Sequence, residues 1–255
     1  MIQTKKSLGQ NFLISQQVVK EIVETAKIER GEFVLEVGPG RGTLTEALLK
    51  TGANVVAVEK DDKLVRYLET KFPKEIALGQ LKLVHKDILE FDVTPFIKNL
   101  ELGIGNYRIV ANIPYYITGE LLRKFLTAEH QPGAMILMLQ KEVAERIVAT
   151  KGKESVLSLS VKAYGKAEYV RTVKKVCFRP IPKVDSAVLV ISSISRNFFA
   201  EMVDERFFSL VKQGFAHKRK KLGNNIPNIE DKYKDKRAEE LSLGDWAGIA
   251  RNYKT

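Results

Sequence analysis

The chain has little sulfur and little imidazole. Cys177 is its only cysteine among 255 residues, so there is no intrachain disulfide and no zinc site built on paired thiolates. Three histidines, His85, His130 and His217, stand too far apart in sequence to read as a metal cluster, and no metal is expected. Long apolar runs are missing too. The longest, Ala134 to Leu139, falls far short of the ~18 residues that suggest a membrane span. No charged-then-apolar leader precedes Gln10, and repeats and low-complexity stretches are absent. The expectation is a cytoplasmic protein, monomeric, with no membrane partner.

Acidic charge is also in deficit, with 31 Asp and Glu against 42 Lys and Arg and a net charge of +11. The imbalance is uneven along the chain. Residues 31–140 are nearly neutral, whereas 141–195 carry 11 Lys and Arg against 5 Asp and Glu, and 196–255 carry 13 against 9. A patterned excess of this kind suits a polyanionic partner, because phosphate neutralisation supplies much of nucleic-acid affinity. The candidates for phosphate contact are Lys5, Lys6, Lys141, Arg146, Arg171, Lys174, Lys175, Lys218, Arg219, Lys220 and Lys221. For any one of them, ordinary solvated surface is the competing reading.

What is present in quantity is alternation. Val34 to Val37 is a short apolar run that ends in Gly38-Pro39-Gly40-Arg41-Gly42 and opens into an amphipathic stretch from Thr43 to Leu49. Before it, Val18, Ile22, Val23 and Ala26 recur at helical spacing, with Ser15 as N-cap. After it, apolar runs at Asn54–Glu59, Leu81–His85, Tyr107–Ala111 and Met135–Gln140 alternate with helical stretches near 62–72, 94–100, 118–128 and 141–150. Such alternation predicts a doubly wound parallel sheet with helices on both faces. Tyr169–Val176 and Ser186–Ile194 then read as two extended runs with no helix between them, closing one edge as antiparallel strands. Beyond Arg196 the pattern is helical, with Phe207, Phe208, Leu210, Val211 and Phe215 on one face, so a boundary is placed near 196. Residues 1–195 form the α/β domain in this reading, and 196–255 a small helical domain that contacts RNA.

The glycine turn carries the first functional signal. Glycine backbone lets a ligand approach closely, and the helix after Gly42 points free N–H groups back at the turn. The spacing lacks the last glycine of the dinucleotide fingerprint, which favours a smaller nucleoside ligand. Glu59 ends the second strand of this run, where a carboxylate accepts from both ribose hydroxyls, and Asp87 lies just past the third, where it receives an adenine amino group. A glycine turn with acids at those two positions is the arrangement used for S-adenosylmethionine, Gly38 and Gly40 forming the cradle. A tight turn with two helix-capping acids is the alternative for each feature taken alone.

Asn112-Ile113-Pro114-Tyr115-Tyr116 follows the fourth strand and lies at the same edge. An exocyclic adenine amine is a poor nucleophile because its lone pair is delocalised into the ring. Acceptance of its two hydrogens by the Asn112 side-chain oxygen and the Pro114 carbonyl turns the nitrogen toward tetrahedral geometry, and Tyr115 stacks on the base. In Phe178-x-Pro180-x-Pro182-x-Val184-x-Ser186, two prolines stiffen a loop and Phe178 is expected on the other face of that adenine. A strand-ending turn and a structural loop with Phe178 in the core remain the alternatives.

Lys6-Ser7-Leu8-Gly9-Gln10-Asn11-Phe12-Leu13, the glycine turn, Asn112 to Tyr116 and the Phe178 to Ser186 loop occur together, in that order. The set closely resembles the small-subunit ribosomal RNA adenine dimethyltransferases, the KsgA family, over nearly the whole chain. The resemblance implies a class I methyltransferase sheet of seven strands with a small all-helical C-terminal domain. It implies transfer of two methyl groups from S-adenosyl-L-methionine to N6 of each of two adjacent adenosines in a hairpin loop near the 3′ end of 16S rRNA, in pre-30S particles during ribosome biogenesis. It further implies that Asn11 and Leu13 close over the cofactor, completing a site formed by Gly38, Glu59, Asp87 and Asn112. A 23S rRNA adenine-N6 methyltransferase of the macrolide-resistance type and a non-enzymatic rRNA-binding assembly factor are the alternatives.

Overall fold

The computed structural model describes residues 10–99, 107–150, 152–200 and 202–253. Among the described residues nine strands are formed: β1 Phe12–Leu13, β2 Phe33–Val37, β3 Asn54–Glu59, β4 Leu81–His85, β5 Tyr107–Asn112, β6 Ala134–Gln140, β7 Lys166–Val173, β8 Phe178–Arg179 and β9 Ser186–Ser192. Seven of them build one sheet in the order β4-β3-β2-β5-β6-β9-β7. Strands β2 to β6 pair in parallel, and β9 returns antiparallel to β6 with Leu137 opposite Leu189. The mostly parallel sheet with an antiparallel edge agrees with the sequence. All five residues of β2 are buried, as expected of a central strand covered on both faces.

The helix Gln16–Ala26 starts at Ser15, whose hydroxyl accepts from the Val18 amide, and it buries Val18, Val19, Ile22 and Ala26. Asp61 caps the helix Asp62–Lys71 through the amide of Lys63. Gly42 stands at the head of the helix Thr43–Lys50 with φ 72°, and a Cβ there would lie 2.6 Å from Phe72 and 2.8 Å from Leu68. Left-handed backbone and two close side chains both demand glycine.

Three features differ from the sequence reading. The extended run expected to reach Val176 stops at Val173, because the Lys175 amide donates to Asp185 and the chain turns through a short 3-10 helix, Lys175–Cys177. A helix at Val156–Lys162, with a Ser155–Ser158 capping box, carries too few periodic apolar residues to be foreseen. The third is a two-stranded ribbon in which β1 pairs antiparallel with β8, Phe12 opposite Arg179 and Leu13 opposite Phe178. The amide of Ile14 extends it by donating to the Cys177 carbonyl at 2.9 Å.

The chain divides into two compact units: residues 1–144 with 168–194, and 145–167 with 195–255. A single cut near 196 therefore leaves out segment 145–167, which packs with the C-terminal residues. The first unit's core gathers Val34, Leu48, Val55, Leu68, Val110, Ile136, Phe178 and Val188 around the sheet. In the second, Tyr164, Phe198, Phe199, Phe207 and Phe208 form an aromatic cluster with ring centroids 5.0 to 6.1 Å apart.

Candidate active site

Parallel strands deliver their C-terminal ends to one edge of a sheet, so β2, β3, β4 and β5 bring Val37–Gly38, Glu59, Lys86–Asp87 and Asn112 together. They line an open cavity with Gln10, Asn11 and Phe12 from the N-terminal segment and with Pro114, Tyr115 and Tyr116. Gly38 has φ 66°, and a Cβ on it would meet only Pro114 Cδ at 4.0 Å. The space above the turn is thus open to a ligand. Gly40, with φ 57°, is confined instead, since a Cβ would lie 2.9 Å from the Phe12 ring. The guanidinium of Arg41 covers that ring at 4.8 Å, so the N-terminal segment is pinned on the cradle by a cation–π contact.

Glu59 is buried and holds the turn from below. Its two oxygens accept from the Gly40 amide at 3.2 Å and the Asp61 amide at 2.9 Å. Burial pushes its carboxyl above the usual range, against those hydrogen bonds. The oxygens' remaining lone pairs are what a ribose would use.

At Asn112 the side chain has a settled orientation. Its Nδ2 donates to the Asn11 carbonyl at 3.0 Å, and only the amide nitrogen can make that bond, so Oδ1 is left as an acceptor. The Pro114 carbonyl also accepts from the Ile117 amide at 3.2 Å, with one lone pair remaining. Tyr115 is held at its hydroxyl by Ser186 Oγ, 2.8 Å away, and burial raises its pKa against that hydrogen bond. This contact joins the Asn112 to Tyr116 turn to the last residue of the Phe178 to Ser186 loop.

Two sequence candidates are placed differently. Phe178 has no exposed surface and packs in the core, and Leu13 is 5% exposed beside it. The Phe178 ring does not line the cavity, because β8 turns it inward against the sheet while the exposed Arg179 faces out. Sequence reasoning in turn passed over Gln10, Phe12 and Lys60. Gln10 Nε2 reaches Asp61 at 3.0 Å, and Lys60 pairs with Asp87 at 2.7 Å. The sequence signal for Gln10 and Phe12 is their place in the Lys6 to Leu13 motif, and for Lys60 it is adjacency to Glu59.

Two residues before Gly38, Glu36 is 1% exposed, and among the described residues its Oε2 has no hydrogen-bond partner. Burial raises its pKa to about 8, opposed by neighbouring Thr45 and reinforced by the charge of Glu59. A folded-state value above the unfolded one means that the native protein keeps a proton which the unfolded chain releases. Stability is then lost as pH rises from the unfolded value toward 8. Glu36→Gln is expected to melt higher than wild type at pH 8 and close to it at pH 5, and thermal melts at the two values check this.

Of the basic candidates, Lys5 and Lys6 lie outside the described residues. Arg171 pairs with Glu21, Lys174 with Asp185 at 3.2 Å and Lys221 with Asp235 at 2.7 Å. Lys141 is half-buried, while Arg146, Lys175, Lys218, Arg219 and Lys220 are exposed. Asn225 pins the turn that displays the last three by donating to the carbonyls of Gly214 and His217. Arg146 and the 218–221 run belong to the second unit, and Arg171, Lys174 and Lys175 to the first.

The family model for ribosomal RNA adenine dimethylase matches residues 1–245. The chain belongs to this family. The dimethylase is 38% identical to ribosomal RNA small subunit methyltransferase A of Dehalococcoides mccartyi, with 99% of this chain and 89% of the relative covered. Against the protein of that name from Lactobacillus johnsonii it is 40% identical, covering 94% and 82%. Among solved structures, a dimethyladenosine transferase from Plasmodium falciparum shares the fold with a TM-score of 0.76 at 24% identity, over 93% of this chain and 95% of that one. A 23S rRNA methyltransferase, ErmE, does so equally, with 0.76 at 23% identity, over 94% and 98%. Backbone likeness alone therefore does not choose between them. Among the described residues no helix of the dimethylase is long and apolar enough to cross a membrane, and no group of His, Cys, Asp and Glu forms a metal site.

Proposed function

We propose that this dimethylase transfers methyl groups from S-adenosylmethionine to N6 of two adjacent adenosines in a hairpin loop near the 3′ end of small-subunit rRNA. It acts on pre-30S particles in the cytoplasm. The observation that carries the reading is Asn112, whose amide nitrogen is committed to Asn11 so that its oxygen is free beside the glycine cradle. When bound, the cofactor supplies an electrophilic methyl on a sulfonium. The chain's own residues do the rest. Gly38 leaves open space for the methionine and ribose portions, Gly40 shapes the cradle beneath Phe12 with its amide on Glu59, Glu59 accepts from the ribose, and Asp87 accepts from the cofactor's adenine.

Asn112 Oδ1 and the free lone pair of the Pro114 carbonyl accept the two hydrogens of the target amine and direct its lone pair at the methyl. Tyr115, fixed by Ser186, stacks on the target base. Phe178 supports the loop from the core instead of stacking. No strong general base is required, because the amine proton becomes acidic once nitrogen carries the methyl. Exposed Lys175, Lys218, Arg219, Lys220 and Arg146 are the phosphate contacts of first choice, and Arg171, Lys174 and Lys221 must first exchange an acidic partner for a phosphate. The curated relatives named for the small subunit favour that substrate.

The test is incubation with labelled S-adenosylmethionine and immature small subunits or, separately, 23S rRNA, followed by mass spectrometry of nucleosides. N6,N6-dimethyladenosine in the small-subunit arm is expected. Product only in the 23S arm would transfer the substrate to the large subunit, and none in either would remove the assignment.

A further inference from the structure

Lys60 directly follows Glu59 at the end of β3, and its side chain turns across to the neighbouring strand's loop. Its Nζ donates to Asp87 Oδ2 at 2.7 Å, while Asp87 Oδ1 accepts from the Leu89 amide at 3.0 Å. One donor on each oxygen fixes the plane of the carboxylate, and both residues line the cavity. The Lys60 side chain is 53% exposed and that of Asp87 22%. As a surface pair it would be worth little. Its position changes that, because a base docked on Asp87 covers the pair and removes the water that screens it.

We propose that Lys60 is a positioning residue for the adenine subsite, holding Asp87 ionised and in plane so that its free lone pairs accept the exocyclic amine of the methyl donor. This rests on the reading of Asp87 as the adenine acceptor. Burial pushes the Asp87 carboxyl up, but the hydrogen bonds from Lys60 and the Leu89 amide, with the charges of Lys60 and Lys124, hold it below the usual carboxylate range. Other charged or titratable groups face the pair. Lys86 and Asp92 act on Lys124, Glu90 and Tyr116 act on Lys60, and the His85 ring lies 3.3 Å from the Lys60 carbonyl. Only Lys60 donates a side-chain hydrogen bond to the Asp87 carboxylate among the described residues. Without it, burial under a docked base has less to oppose it, and the carboxyl protonates at higher pH.

The probe is S-adenosylhomocysteine, titrated calorimetrically from pH 8 down to about pH 3.5, through the ordinary carboxylate range, into the wild-type chain, Lys60→Met, Lys60→Arg, Asp87→Asn and the Lys60→Met/Asp87→Asn double variant. Lys60→Met is expected to bind about tenfold more weakly at pH 7, the size of one charge-assisted hydrogen bond. Its acid-side loss of binding should begin at higher pH than in wild type. Lys60→Arg should restore both properties, and the double variant should bind no more weakly than Asp87→Asn, since Lys60 acts only through Asp87. An unchanged acid limb in Lys60→Met, or additive losses in the double variant, would overturn the proposal while leaving Asp87 in place. Wild-type affinity in Asp87→Asn would instead overturn the reading of Asp87 beneath it.

Discussion

Asn112→Ala is expected to lower kcat for methyl transfer by about 10²–10³-fold, the cost of removing one positioned hydrogen-bonding group from a transition state. RNA affinity should change far less, and S-adenosylhomocysteine should bind modestly more weakly because the tie to Asn11 goes with the side chain. The larger lesson comes from Asn112→Asp, which keeps the shape and the acceptor oxygen. Its carboxylate cannot donate to the Asn11 carbonyl, which now accepts at 3.0 Å, and two acceptors would face each other. That variant should lose kcat like the alanine and should bind S-adenosylhomocysteine more weakly than the alanine does, because two facing acceptors push the N-terminal segment off the cradle where alanine only releases it. Single-turnover rates with titrations separate the two effects. Activity within a factor of two of wild type in the alanine variant would remove Asn112 from the mechanism, and the same result in the aspartate variant would remove the tie to Asn11 from it.

Phe178→Ala is expected to act on stability before it acts on catalysis. The side chain is fully buried within the sheet's core, and truncation of such a phenylalanine costs about 3–5 kcal/mol. For a chain of this size that corresponds to a melting point lower by about 10 °C. A ring stacked only on the substrate base predicts the opposite pattern, with unchanged melting and a raised KM for RNA. Phe178→Leu refills most of the volume and separates the readings further, since it should regain most of the stability. Differential scanning calorimetry of both variants, with RNA kinetics below the transition, decides between them.

The parallel sheet was legible because alternation of short β-branched runs with helical spacing is a local signal, and each run from Val34 to Gln140 carries it. The order of strands then puts Gly38, Glu59, Asp87 and Asn112 at one edge, so these four could be chosen before any coordinates. Tertiary contacts were not legible. Nothing local announces that Ser186 will bond Tyr115, or that the Asn112 amide will spend its nitrogen on Asn11. Phe178 meets the same limit. An aromatic residue beside a proline loop has the same sequence signature whether its ring faces a ligand or the core, and pairing with Leu13 decides which. Chain order alone places segment 145–167 in the first domain, whereas its membership of the second unit depends on packing partners far along the chain.

The ribbon of Phe12–Leu13 with Phe178–Arg179 ties together two stretches from opposite ends of the catalytic unit. Its consequence is for inheritance and grafting. A loop transplanted from a relative at 178–186 arrives without its matching strand, and an N-terminal segment transplanted alone meets a foreign one. Chimeras in this family should be viable when both segments travel together, and drift in one should be answered by drift in the other.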